Sequence, residues 1–231
     1  MVLLGAAVNA TAIFFGSAVG LLFKKGIPER MQKTLTAALG LCVVFIGFKG
    51  AMDGGTLLIV SLSLVLGGLL GEWPDIDRRL NQFGAFLQKK ISKNPESTFG
   101  EGFVSSTLFV CVGAMAIVGA IEAGMKGDFG TYYTKALLDG VTVLIMTASL
   151  GFGCFFSGVV LLVYEGALTL AAQFIAGFLT EQMITELSCV GSILVLAIGL
   201  NLLKITKIKV ANLLPAAFLP IVFCLISDIF K

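Results

Sequence analysis

The chain has 231 residues, of which 57% are hydrophobic and only 13% charged, with a formal net charge of +2 and a mean hydropathy of +1.00. Soluble domains carry about 25% charged residues, so a soluble globular domain is excluded and a single membrane domain over 1–231 is expected. No histidine is present, which removes the commonest general base, metal ligand and physiological proton switch. Five scattered cysteines (Cys42, Cys111, Cys154, Cys189, Cys224) form no C-x-x-C and read as small apolar packing residues.

Stretches of about 18–25 apolar residues can cross a bilayer, and eight spans are expected. In chain order they are 2–23, 34–51, 56–70, 103–123, 131–150, 152–175, 187–203 and 210–229. The first is preceded by no basic residue and followed by Lys24 and Lys25, the pattern of a retained span rather than a cleaved signal. The third is short for a full crossing. The connecting segments 24–33, 72–100 and 204–209 hold nearly all the basic loop residues, whereas 52–55, 124–130 and 176–186 hold only Lys126. With eight spans the three basic segments fall on one side. The positive-inside rule makes that side cytoplasmic and leaves both termini outside.

The segment 74–92 differs from the spans. Ile76, Leu80, Phe83, Leu87 and Ile91 recur at spacings of three and four, flanked by Arg78, Arg79, Lys89 and Lys90. This is the pattern of an amphipathic helix on the cytoplasmic leaflet, its basic groups near anionic headgroups; a solvated helix packed on another loop is the alternative.

The sequence also resembles itself. Pro28–Gly47 aligns without gaps on Thr180–Gly199, with six of twenty positions identical: Glu29/Glu181, Met31/Met183, Leu35/Leu187, Val43/Val195, Ile46/Ile198 and Gly47/Gly199. Spans one to three (half one, 1–71) thus match spans six to eight (half two, 152–231), with 103–150 between them. Corresponding spans are offset by five, an odd number, so the copies face opposite ways across the bilayer. Inverted-topology repeats of this kind are a mark of secondary transporters. The expected fold is therefore an all-α polytopic bundle of about eight transmembrane helices with an inverted repeat and one interfacial helix.

Four stretches carry a family resemblance: Gly5–Gly20 (GAAVNATAIFFGSAVG), Val112–Asp128 (VGAMAIVGAIEAGMKGD), Lys135–Gly140 (KALLDG) and Tyr164–Leu170 (YEGALTL). In this order they resemble the bacterial membrane proteins of the domain of unknown function 554 family, over essentially the whole chain. The pattern departs from that family at Ala114, where Pro is common, and at Glu165, where Gln is common. The resemblance implies a polytopic membrane protein and supplies no substrate.

Ionisable groups within spans cost about 2.5–3.5 kcal/mol each to insert, so each needs a reason. Lys135 and Asp139 are spaced i, i+4 on one face of span five, and either form a structural bridge or leave Asp139 as a cation or proton site. Glu165, near the middle of span six, must be protonated, hydrogen-bonded or bound to a cation. Asn9 and Asn201 are neutral polar groups in apolar runs, suited either to line an ion or solute site or to hydrogen-bond between helices. Gly151, Gly153, Pro215 and Pro220 are candidate helix breakers. No phosphate loop, metal-ligand cluster or Ser-His pair is present, so neither an enzyme nor a cofactor is expected, and nothing suggests nucleic acid. The reading is a transporter or permease for a small polar solute or ion, coupled to protons or cations. The alternative is a scaffold or sensor that binds lipid or a partner through its basic helix. Membrane lipid and the solute are the expected partners, with homo-oligomer formation left open.

Overall fold

The computed structural model describes residues 3–24, 29–91, 98–112, 114–175 and 179–229. Val2, Lys25, Pro28, Ser92 and 176–178, used in the reading above, lie outside them. Among the described residues the chain is helical throughout, with no strand. Ten α-helices follow in order: α1 Leu4–Lys24, α2 Glu29–Met52, α3 Leu57–Glu72, α4 Ile76–Ile91, α5 Phe99–Cys111, α6 Ala114–Ile121, α7 Gly130–Leu150, α8 Ser157–Ile175, α9 Glu181–Leu202 and α10 Leu219–Ile229. A π-helical turn, Glu122–Lys126, extends α6, and 3-10 segments Phe152–Phe156 and Val210–Ala217 lead into α8 and α10. The breaks foreseen at Gly151 and Pro215 fall there: Gly151 has φ +92°, and Pro215 lies within the second 3-10 segment.

Among the described residues, five helical stretches are long and apolar enough to cross a membrane, and up to seven if each of two bent pairs is one span; Thr36–Met52 is a shorter apolar helix. The continuous fourth span expected over 103–123 is instead α5 and α6, whose axes differ by 52°. The third span is likewise one arm of a pair, since α3 and α4 meet at 55°. Asp75, in the turn between them, has φ +48°, a left-handed conformation that Asp tolerates better than most residues. Its carboxylate accepts from Asn212 and from the Arg78 N–H. The Asn212 bond, aided by Arg78 and Lys209, holds the Asp75 carboxyl below the ordinary range. Asn212 Oδ1 also accepts from the Asp77 N–H at 2.6 Å, and Lys209 bonds Glu72 at 2.7 Å. The amphipathic α4 therefore starts at a defined angle.

The helices group into two compact units. One comprises Met1–Leu39, Leu80–Cys111 and Met115–Ala176; the other comprises Gly40–Arg79, Val112–Ala114 and Gly177–Lys231. Each is assembled from segments far apart in the sequence. In the first, α1 and α7 run parallel: Gly5 faces Tyr132, Gly16 the Gly140 carbonyl, and Gly20 the side chain of Thr147. α8 runs antiparallel to α1, with Gly158 against Phe14 and Gly166 toward Leu3. The 3-10 segment wedges its Gly153 between Phe99 and Phe103 of α5, and Phe99, Phe152, Phe155 and Phe156 pack ring to ring beside it.

In the second unit α2 and α9 are antiparallel, and their contacts are reciprocal. Gly47 meets Leu196 and the Ser192 carbonyl, while Gly199 meets Val44 and the Gly40 carbonyl. The repeat alignment pairs Gly47 with Gly199, Val44 with Leu196 and Gly40 with Ser192. Each side of the contact is thus the counterpart of the other. α3 packs antiparallel on the 3-10 segment before α10, with Gly67 at Ala216 and Gly71 at the Asn212 carbonyl. Small residues at helix contacts allow this backbone approach and its dispersion gain, the main source of association where lipid is as apolar as the protein.

The glycine contacts make a specific prediction. Gly16→Ala places a methyl group into the Gly140 carbonyl, whereas at Gly166 the nearest atom to a new methyl is Leu3 Cδ2 at 3.7 Å. Overpacking of this kind costs about 1–3 kcal/mol. Thermal unfolding in detergent should show Gly16→Ala clearly destabilised and Gly166→Ala neutral or slightly stabilised. Equal melting temperatures for the two variants would contradict the packing described.

Candidate functional site

Four polar side chains from three helices of the first unit converge in its interior. Lys135 and Asp139 lie one turn apart on α7, so their side chains share a face. Asn9 lies on α1 between the close approaches at Gly5 and Gly16, which bring it to Asp139. Glu165 lies on α8, and the Gly158–Phe14 and Gly166–Leu3 contacts bracket the level at which it meets Asn9. Asn9 and Glu165 are 0% exposed, Lys135 and Asp139 each 5%.

The bonding is dense. Asn9 Nδ2 donates to Asp139 Oδ2 at 3.1 Å and to Glu165 Oε1 at 2.9 Å. Lys135 Nζ donates to Asp139 Oδ2 and forms an ion pair with Glu165 Oε1 at 3.5 Å. Its third oxygen is the Val110 carbonyl at 2.8 Å. Val110 lies in the last turn of α5, where carbonyls lack an intrahelical partner, so the break between α5 and α6 supplies that acceptor. The ammonium is held by three oxygens, much as a bound cation is. Two buried acceptors of the cluster, Asn9 Oδ1 and Glu165 Oε2, have no hydrogen-bond partner.

Further polar pairs lie along α7 on either side of the cluster. One turn before Lys135, Tyr132 Oη lies 2.9 Å from Thr169 Oγ1, and the Thr169 hydroxyl donates to the Glu165 carbonyl at 2.7 Å. Two turns after Asp139, Thr147 Oγ1 donates to Ser17 Oγ at 3.3 Å. All four of these residues are buried.

Of the five residues expected to bind an ion or solute, the structure brings Asn9, Lys135, Asp139 and Glu165 together. Asn201 is not among them. It lies in the second unit, where its carboxamide donates to the Ile208 carbonyl at 2.7 Å and accepts from Thr206 Oγ1 and the Ile208 N–H. It closes the loop after α9, a local role open to any Asn near a helix end. Arg78, Arg79, Lys89 and Lys90 are all exposed on α4, beside exposed Trp73, Phe83 and Phe86.

The sequence reading missed Tyr132 and Thr169, although their spacing from Lys135 and Glu165 places them on the same faces. It also missed Glu186, assigned to a loop and found buried on α9, where both carboxylate oxygens accept from the Thr56 N–H at 2.8 and 2.9 Å. That bond closes the start of α3, whose Thr56 side chain makes no capping bond. An acid only one residue ahead of an apolar run was the available signal.

The family model described as a protein of unknown function (DUF554) matches residues 4–225. The "uncharacterized membrane protein YdfK" of Bacillus subtilis is 33% identical over 220 residues, which cover 94% of this chain and 93% of that protein. The "uncharacterized protein YqgA" of Escherichia coli is 30% identical over 220 residues, 94% of each chain. No solved structure matches.

Removal of one member of a buried ion cluster leaves the others uncompensated and commonly costs about 3–5 kcal/mol. Lys135→Met should therefore destabilise the folded protein by about that much at neutral pH. Part of the loss should return as the pH is lowered, because added protons neutralise the carboxylates in place of the ammonium. The double variant Lys135→Met/Asp139→Asn should recover most of it. Unfolding curves in detergent at two pH values measure all three effects. A single variant as stable as the parent would show that Lys135 does not balance the carboxylates.

Proposed function

This chain belongs to the DUF554 family, and we propose that it is a secondary transporter of the bacterial inner membrane. In this reading it moves a small polar solute or ion by proton or cation coupling through the cluster of Asn9, Lys135, Asp139 and Glu165. The observation that carries the reading is the burial of two carboxylates against one ammonium inside a membrane protein. Ionisable groups kept at such cost within membrane segments serve ion pathways and proton relays far more often than packing. A purely structural ion pair needs one carboxylate; the second leaves an unbalanced charge that only a proton or cation removes. The polar pairs Tyr132–Thr169 and Ser17–Thr147 support a route to the cluster from either side.

Helix directions support an eight-crossing topology with inverted halves. Eight alternating crossings require the first and fifth spans to be parallel, and the first and sixth, second and seventh, and third and eighth to be antiparallel. The glycine contacts within each unit have those directions. The reciprocal α2–α9 contact is what a two-fold relation between inverted copies produces. On the positive-inside rule both termini are outside, so Tyr132 and Thr169 lie on the outer side of the cluster. A second reading, a lipid-binding scaffold, draws on the exposed aromatic and basic side chains of α4, where Lys90 Nζ lies 4.7 Å from the Phe86 ring.

In proteoliposomes, Asp139→Asn and Glu165→Gln should each lower flux at least tenfold while unfolding curves show an intact fold. Removal of Arg78, Arg79, Lys89 and Lys90 should leave flux within a few-fold. The reverse pattern, with the acids dispensable and the basic helix essential, would support the scaffold.

A further inference from the structure

We propose that the cluster is a monovalent-cation site that exchanges its cation for one proton, with Lys135 as a built-in counter-charge. This rests on the transport reading of the same site and assigns the class of ion. With Lys135 charged and both carboxylates ionised, the cluster carries one net negative charge. In a medium of low dielectric that unpaired charge is expensive. One proton cancels it, and so does one monovalent cation. A divalent cation reverses it and leaves an equally unfavourable positive charge. Charge balance therefore selects a monovalent ion, makes proton and cation mutually exclusive, and leaves their exchange electroneutral.

The ligand atoms are present. Asn9 Oδ1 and Glu165 Oε2 are buried and unpartnered, and both are hard oxygens of the kind that ligate hard cations; the charge count, not the ligand type, selects a monovalent one. They belong to a carboxamide and a carboxylate already bonded to each other through Asn9 Nδ2 and Glu165 Oε1 at 2.9 Å. Asp139 is less free to serve, because its Oδ2 accepts from both Lys135 and Asn9. The ammonium is fully engaged by Val110, Asp139 and Glu165. The other titratable groups in electrostatic reach are Tyr132 on α7, Tyr164 on α8 and Cys111 on α5. The neutral forms of all three leave the count unchanged.

The test uses the purified full chain in nanodiscs, titrated separately with Na⁺, K⁺, Mg²⁺ and Ca²⁺ by calorimetry in buffers of different ionisation enthalpy. Na⁺ or K⁺ should bind with release of about one proton, and competition should weaken binding about tenfold per unit fall in pH at low pH. Mg²⁺ and Ca²⁺ should not bind. Lys135→Met, which adds one negative charge to the count, should gain Mg²⁺ or Ca²⁺ binding with release of about two protons. Should that variant fail to fold, Asn9→Ala serves instead: it removes a ligand without changing the charge and should weaken Na⁺ or K⁺ at least tenfold while proton release stays near one. Absence of Na⁺ and K⁺ binding to the parent chain would falsify the inference, as would binding unaffected by both Asn9→Ala and Glu165→Gln. The two readings separate cleanly. Solute flux that needs Asp139 and Glu165 without any Na⁺ or K⁺ binding overturns the ion assignment and leaves transport intact; proton-releasing cation binding without flux of any kind does the opposite.

Discussion

Charge buried in a membrane interior has to be compensated by its immediate neighbours, and one cluster of an ammonium and two carboxylates organises the first unit. Lys135 is positioned by three oxygens from α5, α7 and α8, and Asn9 ties α1 to the two carboxylates. Four helices thereby meet at one point. The polar bonds fix their register, while the glycine contacts at Gly5, Gly16 and Gly158 set their spacing. Neither is sufficient alone: dispersion between apolar helices is weakly specific, and a polar cluster without close packing would admit lipid or water.

The second unit is built on different terms. Its ion pairs among the described residues are at least partly exposed, joining Lys209 to Glu72 and Asp75. The pairing with Glu72 holds the exposed Lys209 ammonium above its ordinary range. Its interior combines buried aliphatic side chains such as Leu187, Leu194 and Ile198 with close backbone approaches, in which Gly47 and Gly199 each meet the backbone of the opposite helix. The aligned segments do not carry the ionisable cluster. Asp139 falls between the copies, and the repeat counterpart of Glu165 is Ile13, a fully buried apolar residue. On the transport account, the ion site arises where the two halves differ.

Much of this was readable from the sequence, for identifiable reasons. Helical character follows from long apolar runs, though the bends between α3 and α4 and between α5 and α6 do not, and the Lys135–Asp139 pair follows from helical periodicity. Asn9 and Glu165 stood out because polar groups are costly in such runs. Their convergence was not readable, since it depends on which helices cross and at what level. The Val110 carbonyl could not be foreseen either, because it becomes available only where α5 ends and the axis turns by 52°. Asn201 shows the converse: polarity within an apolar run marked it, yet the adjacent loop uses its carboxamide. Glu186 was hidden by proximity to a loop, although burial and the Thr56 bond make it part of the interior.

The central claim is that the Lys135, Asp139 and Glu165 cluster is kept neutral by one exchangeable proton. Infrared difference spectroscopy of the chain against Glu165→Gln, in lipid at neutral pH and without alkali cations, tests it directly. The account predicts a neutral carboxylic acid band in the parent chain that is lost in the variant and that gives way to carboxylate absorption when Na⁺ or K⁺ is added. Carboxylate bands alone, unchanged by either cation, would contradict it.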